Sequence, residues 1–352
     1  MIAVILDNEI LERILSIENC RRNFGDVKVS VALTNKLRKS SRKKSSHAST
    51  QIEGNPLTEQ QSNAAIDSSK RHFLKPEQEV RNYFLALEMM ESYLKEHRPF
   101  TKELILSLQK QIVMGESRDK IGFRGPMPPG VLFAVYDDFT HIPEYIPPMA
   151  DEIPALLDEL IEYVNLSDDH PLIKAAIVHY QIVTIHPFED GNGRAARILS
   201  DYVLDYYGYG FNQIGSLEEY FAYDVDEYYR SLQMDLPPLY YNGRDNPPHP
   251  EIWLHYFLRM VELHAHKVVQ IAETSVEEQQ KSSLSFLNEK EKQFLQYLRK
   301  HRIKQFTPVE MAVKLGVSNR TIINWSANLS KNGFLSPVIV KQRIRSYEVK
   351  YD

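Results

Sequence analysis

Twelve consecutive residues concentrate the chemistry of this 352-residue chain: His186-Pro187-Phe188-Glu189-Asp190-Gly191-Asn192-Gly193-Arg194-Ala195-Ala196-Arg197. They bring together a base (His186), a carboxylate (Asp190), a Gly-Asn-Gly turn and two arginines. The glycines permit a tight backbone turn whose N–H groups can be aimed at an anion. Arg194 then opens a helix, and the N-terminal amides and dipole of a helix attract phosphate. Arg194 and Arg197 are three apart, so they share one helix face and can grip the same polyphosphate. Asp190 offers oxygen ligands suited to magnesium bridging phosphates. Together these groups form an inventory for handling a nucleoside triphosphate and its metal.

Two helices must hold this run. Pro171 to Ile185 is apolar on nearly every side, which predicts a helix buried in the middle of a domain and ending at His186. His179 on that helix reads as a core histidine with its polar atoms satisfied, not as a ligand. Ala195 to Tyr206 continues as a second helix, so the pair presents the loop at its open end.

The run resembles the signature of the Fic family, His-x-Phe-x-Asp/Glu-Gly-Asn-Gly-Arg-x-x-Arg, at every fixed position. The resemblance implies transfer of AMP from ATP to a hydroxyl of a protein target. It casts His186 as the general base, a task that suits an imidazole because its ordinary pKa lies near working pH. It casts Phe188 as a buried anchor of the loop and Asp190 as the Mg²⁺ ligand. Gly191, Asn192 and Gly193 would form the anion hole, Arg194 would bind the outer phosphates, and Arg197 would hold the γ-phosphate. Glu189 stands at a variable position and receives no role.

Upstream, Ser49-Thr50-Gln51-Ile52-Glu53-Gly54 is similar to the Ser/Thr-x-x-x-Glu-Gly/Asn motif with which Fic proteins inhibit themselves. The resemblance pairs Glu53 with Arg197, taking away the guanidinium that should hold the γ-phosphate. A polar helix carrying this motif should end at Gly54-Asn55-Pro56, where Gly54 can adopt the left-handed cap conformation and Pro56 blocks continuation.

A chain of this length should form two or three domains with a sizeable core. Its composition, 43% hydrophobic and 25% charged, is that of an ordinary soluble protein. The single Cys20 excludes an internal disulfide framework and fits a reducing compartment. No apolar run reaches the length of a membrane span, and the six-residue apolar start is too short for a signal segment. We therefore expect a cytoplasmic protein that does not enter membranes. The net charge of −5 hides an uneven split. From Ser283 to Asp352 there are 13 basic and 5 acidic residues, a balance of +8, which leaves −13 for the rest. An acidic body with a basic terminal module points to separate tasks.

The expected architecture is mainly α: a Fic helical fold with a β-hairpin flap, plus a C-terminal winged helix-turn-helix. Residues 1–98 form a helical region with the inhibitory helix, 99–270 the Fic core, 271–284 a helical linker, and 285–352 the winged helix. The basic run Lys36 to Lys44 reads as a solvated helix face. Gly122 to Pro148 holds β-formers (Val131, Leu132, Phe133, Val135, Tyr136) and a turn signal at Asp137-Asp138. It resembles the family's flap, whose strand edge would pair with the segment of the protein substrate. It lacks the glycines many relatives carry near the tip. Glu219 to Tyr229 resembles the segment lining the adenine pocket, although many relatives have Asn-Arg where Asp224-Val225 stand; Tyr228 is its candidate base contact. Farther on, Thr307 can cap a helix, Gly316 can make a turn, Ser318 can cap a second helix, and Val338 to Tyr351 would form a hairpin around Lys341 to Arg345.

Three functions fit these features. The first is a self-inhibited protein adenylyltransferase using Mg²⁺ and ATP, with self-modification and a homodimer as candidate properties. The second is a de-AMPylase on the same residues. The third is a nucleotide-sensing regulator whose winged helix binds DNA. An intact His186 favours catalysis, because a pure sensor needs no base.

Overall fold

The computed structural model describes residues 6–115, 120–131, 133–136, 143–237, 240–241, 247, 249–340 and 342–350. The chain divides into two compact units, Met1–Ile271 and Ala272–Asp352.

The first unit is helical: α1 (Asn8–Asp26), α2 (Val31–Ile52), α3 (Glu59–Asp67), α4 (Lys75–Lys95), α5 (Lys102–Ile112), α6 (Ile153–Leu166), α7 (Pro171–Ile185), α8 (Asn192–Tyr206), α9 (Glu218–Tyr223) and α10 (Val225–Gln233), followed by α11 (Pro250–Ser285), which continues past the unit's end. Asp7, Ser30, Thr58 and Thr101 cap the first, second, third and fifth helices by accepting from backbone N–H groups. The centre is α7, with thirteen of its fifteen residues buried. A helix apolar all round must be surrounded, and this one is: α8 and α6 pack on it, and Trp253 of α11 donates its indole N–H to Ala176 O at 2.8 Å. His179 is fully buried, in contact with Ser200 Oγ (3.3 Å) and Tyr228 OH (2.8 Å) amid Phe221, Trp253 and Phe257. It is a satisfied core histidine.

Helix α2 differs from its neighbours. Of its seven buried residues, five carry hydroxyls: Ser41, Ser45, Ser46, Ser49 and Thr50. Ser45 Oγ donates to the buried Glu218 carboxylate at 2.6 Å, and the same carboxylate accepts from Tyr83 OH at 2.9 Å. The basic run is not the freely solvated face that the sequence implied. Arg38 and Arg42 pair with Glu91 of α4, Lys43 pairs with Asp67 of α3, and Lys44 meets Glu219 of α9 at 3.0 Å. Arg42 keeps only 12% of its side chain exposed. The partners lie on three other helices, so no local pattern could have revealed them.

The flap region contains β1 (Val135–Tyr136) and β2 (Pro143–Ile146), paired antiparallel with Val135 opposite Tyr145. Leu132, Asp137 and Asp138 lie outside the described residues. A third strand, β3 (Tyr240–Tyr241), adds to β2 in parallel, Tyr145 opposite Tyr240. The sheet order β1-β2-β3 leaves β1 at one edge and β3 at the other.

The second unit contains α12 (Glu289–Lys300), β4 (Gln305–Phe306), α13 (Pro308–Leu315), α14 (Asn319–Lys331), β5 (Leu335–Val340) and β6 (Arg343–Val349). Its sheet is antiparallel in the order β4-β6-β5. Phe294, Leu298, Phe306, Ile322, Leu329 and Tyr347 form its core. Thr307 caps α13, Gly316 takes a left-handed φ of 65°, and Ser318 caps α14. Lys341 and Tyr351 lie outside the described residues. Among the described residues no helix is long and apolar enough to cross a membrane.

Candidate active site

Helix α7 delivers His186 in an unusual way. The helix stops because His186 turns into the left-handed region, φ 48° and ψ 59°, while its N–H still reaches Ile182 O at 3.1 Å. A residue with a Cβ is strained in this conformation, and such strain persists where surrounding contacts over-determine it. Those contacts are visible. Phe188 is wholly buried and stacks on Phe123 at 5.9 Å. The backbone of Phe123 bridges that of Phe188, and Arg124 N–H donates to Pro187 O at 2.9 Å. Gly191 closes the loop with φ 87°, and a Cβ there would lie 3.1 Å from Ile112. Both its conformation and its surroundings require glycine.

Arg124 secures His186 itself. Its Nε donates to His186 O at 2.7 Å, another guanidinium nitrogen donates to Pro148 O, and its charge lies 4.8 Å from the ring centre of Phe133. Phe133 in turn contacts the His186 ring at 5.9 Å. His186 Nδ1 is 3.3 Å from Val183 O, an acceptor, so Nδ1 carries the proton and Nε2 keeps its lone pair. Burial pushes the imidazole down to about 4, partly opposed by the Val183 carbonyl, and the Arg124 charge lowers it further. The histidine is therefore neutral at physiological pH and can accept a proton.

The charged groups converge one turn away. Arg194 donates to Asp190 Oδ1 at 2.7 Å, and Lys120 Nζ lies 3.3 Å from Asp190 Oδ2. Burial opposes ionisation of Asp190, but these two cations outweigh it and hold the carboxyl below its usual range. Arg197 is 1% exposed. Its Nε donates to Ser49 Oγ at 2.7 Å, and Nη2 donates to Ser49 O at 3.1 Å and to Glu53 Oε1 at 2.5 Å. Glu53 is the residue at which α2 ends, and Gly54 behind it takes φ 79°. Gly193 packs so tightly below Glu53 that a Cβ would collide with the carboxylate. Among the described residues, the buried donors Arg194 Nε and Arg197 Nη1 have no hydrogen-bond partner. Unpaired buried donors on two arginines of one helix face are what a polyphosphate would satisfy. Among the described residues there is no cluster of three His, Cys, Asp or Glu side chains able to hold a metal alone. The lone Asp190 instead suits a magnesium ion completed by phosphate oxygens and water.

The structure thus brings His186, Asp190, Gly191, Gly193, Arg194, Arg197 and Glu53 together. Two further candidates, Asn192 and Tyr228, are almost fully buried. Asn192 is 4% exposed, and its amide closes the loop on itself: Oδ1 accepts from Phe188 N at 3.0 Å and Nδ2 donates to Phe188 O at 2.9 Å. Its side chain thereby braces the loop that carries Gly191 and Gly193. Tyr228 is 1% exposed, packed in the aromatic core with its hydroxyl on His179. Three contributors carry no signal of their own in the sequence. Arg124 is the first. Gln109 is the second; fully buried, it donates to Lys120 O and Asp190 O and accepts from Gly122 N. Lys120 is the third. Only the Gly122-Phe123-Arg124-Gly125 pattern, which opens the flap, could have hinted at them.

Residues 99–204 match the Fic/DOC family profile. The chain is 29% identical over 198 residues to protein adenylyltransferase fic-1 of Caenorhabditis elegans, an alignment covering 54% of this chain and 36% of that protein. It is 24% identical over 203 residues to protein adenylyltransferase Fic of Drosophila grimshawi, covering 56% and 40% respectively. The matched stretch therefore spans well under half the length of these relatives. The fold is similar to that of a Fic family protein from Desulfovibrio desulfuricans G20, with TM-score 0.60, 19% identity, and 100% and 99% of the two chains covered. It is also similar to a Fic-domain-containing signaling protein from Bacteroides thetaiotaomicron, with TM-score 0.61, 23% identity, and 74% and 97% covered.

Proposed function

For a chain that carries a Fic domain and has Fic protein adenylyltransferases among its homologues, we propose the transfer of AMP from ATP to a Ser, Thr or Tyr hydroxyl of a protein. The observation that carries this reading is His186: neutral, with Nε2 free to act as base, at the mouth of a loop flanked by two arginines with unsatisfied donors.

In this reaction the target hydroxyl loses its proton to His186 Nε2 as its oxygen bonds to the α-phosphorus of ATP. The bond from that phosphorus to the bridging oxygen breaks, and pyrophosphate leaves with the electron pair. Arg194 and Arg197 bind the outer phosphates. The loop amides around Gly191 and Gly193, fixed before the substrate arrives, face the charge that develops at phosphorus. Asp190 is the residue that would hold Mg²⁺, whose charge neutralises the phosphates when bound. To receive the metal, Asp190 must loosen its hold on Lys120 and Arg194. The protein substrate would lie along the β1 edge, adding a strand and presenting its hydroxyl to His186.

We further propose that the site is self-inhibited. Glu53 occupies Arg197 at 2.5 Å, and Ser49 takes the Nε of the same guanidinium. The γ-phosphate and the carboxylate compete for one cation, so nucleotide entering past Glu53 would bind with its α-phosphate misdirected. The second unit we read as a winged helix: α12, β4, α13, α14 and the β5–β6 hairpin succeed one another in the order of that fold.

Incubation of the wild type, Glu53→Gly, His186→Ala and the double variant Glu53→Gly/His186→Ala with α-labelled ATP and Mg²⁺ tests the reading. Strong protein labelling by Glu53→Gly that vanishes in Glu53→Gly/His186→Ala supports it. Equal labelling with and without His186 overturns it.

A further inference from the structure

We propose that the first unit holds a second ligand site, a cavity behind α2 that takes a small primary alkylammonium ion and, when filled, fastens α2 to the helices beneath it. Binding there is independent of AMP transfer; only its effect on the active site rests on the self-inhibition proposed above.

The cavity has a volume of about 70 Å³ and is walled by α2, α4, α8, α11 and the turn that follows α8. Its polar side is rich in acceptors. Asp201 and Asp205 stand four apart on α8, so both line it from one helix face. Asp205 Oδ2 accepts from Gln213 Nε2 at 2.9 Å, whereas Gln213 Oε1 is buried with no hydrogen-bond partner. Among the described residues nothing donates a hydrogen bond to Asp201 either. Burial pushes its carboxyl well above the usual range, Glu218 and Asp205 add repulsion, and Arg197 opposes them. Burial also raises Asp205 to about 7, against the pull of Gln213, Arg38 and Arg42. Arg42, at the rim, is itself held by Glu91 and Glu88, and His264 on the far wall is pushed down to about 4 by burial and brings no charge. An enclosed acid without a donor is costly, and such groups mark places where a partner is missing.

Acceptors from Asp201, Asp205 and Gln213 around one void match the three N–H donors of an ammonium group. The remaining wall is apolar, formed by Leu87, Met90, Leu94 and Ile198, and suits a short alkyl tail. At about 10–15 Å³ for each water-sized atom, the space admits about five non-hydrogen atoms. A metal ion would find hydrocarbon where it needs oxygen, and among the described residues no group of three His, Cys, Asp or Glu could hold one. Water lacks polar partners along the same apolar side.

The way in leads past the turn. Phe211, Asn212 and Gln213 take left-handed φ values of 47°, 57° and 59° in succession, strain of the kind found at ligand clamps. Leu94, Asp205, Gly210 and Gln213 line both this cavity and an outer hollow of about 450 Å³. Arg38 of α2 donates to Asn212 O at 3.1 Å, and Ser41 and Ser45 of the same helix line the cavity. An occupant bound to α8 therefore packs against α2, which carries Glu53 at its end, and keeps that carboxylate on Arg197.

The test titrates the full chain with n-propylammonium chloride by calorimetry, with 1-propanol as the neutral isostere, and follows hydrogen exchange of the α2 amides. Propylammonium should bind with a dissociation constant of about 0.1–5 mM, the range open to so few atoms, and 1-propanol should not. Asp201→Asn replaces an unpaired acid by an amide of the same shape, so it should fold as wild type does and weaken propylammonium about 10- to 150-fold. Asp205→Asn should weaken it as well. Saturation should slow exchange along α2 in wild type and leave Asp201→Asn unchanged. No ATP is present, so a failure of AMP transfer leaves these readouts intact. Lack of propylammonium binding, equal binding of 1-propanol, or equal binding to Asp201→Asn overturns the site; binding without slower exchange in α2 overturns the fastening.

Discussion

Glu53 and Arg197, 144 residues apart in the chain, share a 2.5 Å contact in which an exposed helix end meets an almost fully buried guanidinium. The carboxylate remains 34% exposed while the arginine is sealed below it. The acid can therefore leave into solvent, whereas the cation must wait for another anion. Burial is the largest single influence on Arg197 and disfavours its charge, yet Glu53 together with Tyr228, Tyr83 and Tyr229 outweighs it.

Replacing Glu53 by glycine should raise AMP transfer by about 10- to 150-fold, the range expected for loss of a charge-assisted pair. Initial rates with α-labelled ATP at saturating nucleotide measure it. A rate equal to wild type would rule out the brake.

The depressed basicity of His186 fixes a pH window. The free imidazole stays neutral until pH falls towards about 4, where an ordinary histidine would already be protonated near 6.5. In Glu53→Gly, kcat/KM should hold through pH 6 and fall on the acid side only near pH 4. The same shift acts on stability. Between about 6.5 and 4 the unfolded chain takes up a proton that the folded one refuses, so this group's contribution to stability is lost as pH falls through that interval. An acid limb centred near 6.5 would contradict the assigned environment.

Arg124 holds the strained carbonyl of His186 and places its charge beside the ring. Arg124→Ala should lower kcat by about 100-fold with little change in the KM for ATP. Because a positive charge disappears, the acid limb of the pH profile should also move upward. A merely structural role would leave that limb in place.

Helix α2 is anchored by charge as well as by packing. Glu91 accepts from Arg38 and Arg42 and pairs with Lys95. Glu91→Gln should loosen α2 and raise basal transfer several-fold, an effect that should disappear in the Glu53→Gly background. Additive increases in the double variant would show that Glu91 acts elsewhere.

Gly191→Ala imposes a side chain on φ 87° and drives it against Ile112. Thermal unfolding should reveal a loss of about 1–3 kcal/mol, with transfer falling in parallel. An unchanged melting curve would mean that the loop can relax.

Much of this site was legible because its chemistry is local. The run from His186 to Arg197 carries its own turn, helix start and charge spacing, and the all-round apolarity of α7 announces a central helix. The end of α2 at Gly54 was equally readable. The clasp of Arg124 on His186 O was not, because backbone carbonyls leave no trace in side-chain patterns. The closure of the Asn192 amide on the backbone of Phe188 was hidden for the same reason. The parallel strand β3 joins β2 from some ninety-five residues away and is only two residues long, too short for any periodicity to register.

The hydroxyl-lined inner face of α2 also governs how that helix behaves once it is released. Water can take over the hydrogen bonds of Ser41, Ser45, Ser46, Ser49 and Thr50, so a detached α2 would offer little greasy surface to neighbouring molecules. Under the proposed self-inhibition such a segment would leave and return without seeding aggregation, and its docking would be a reversible equilibrium and not a one-way activation.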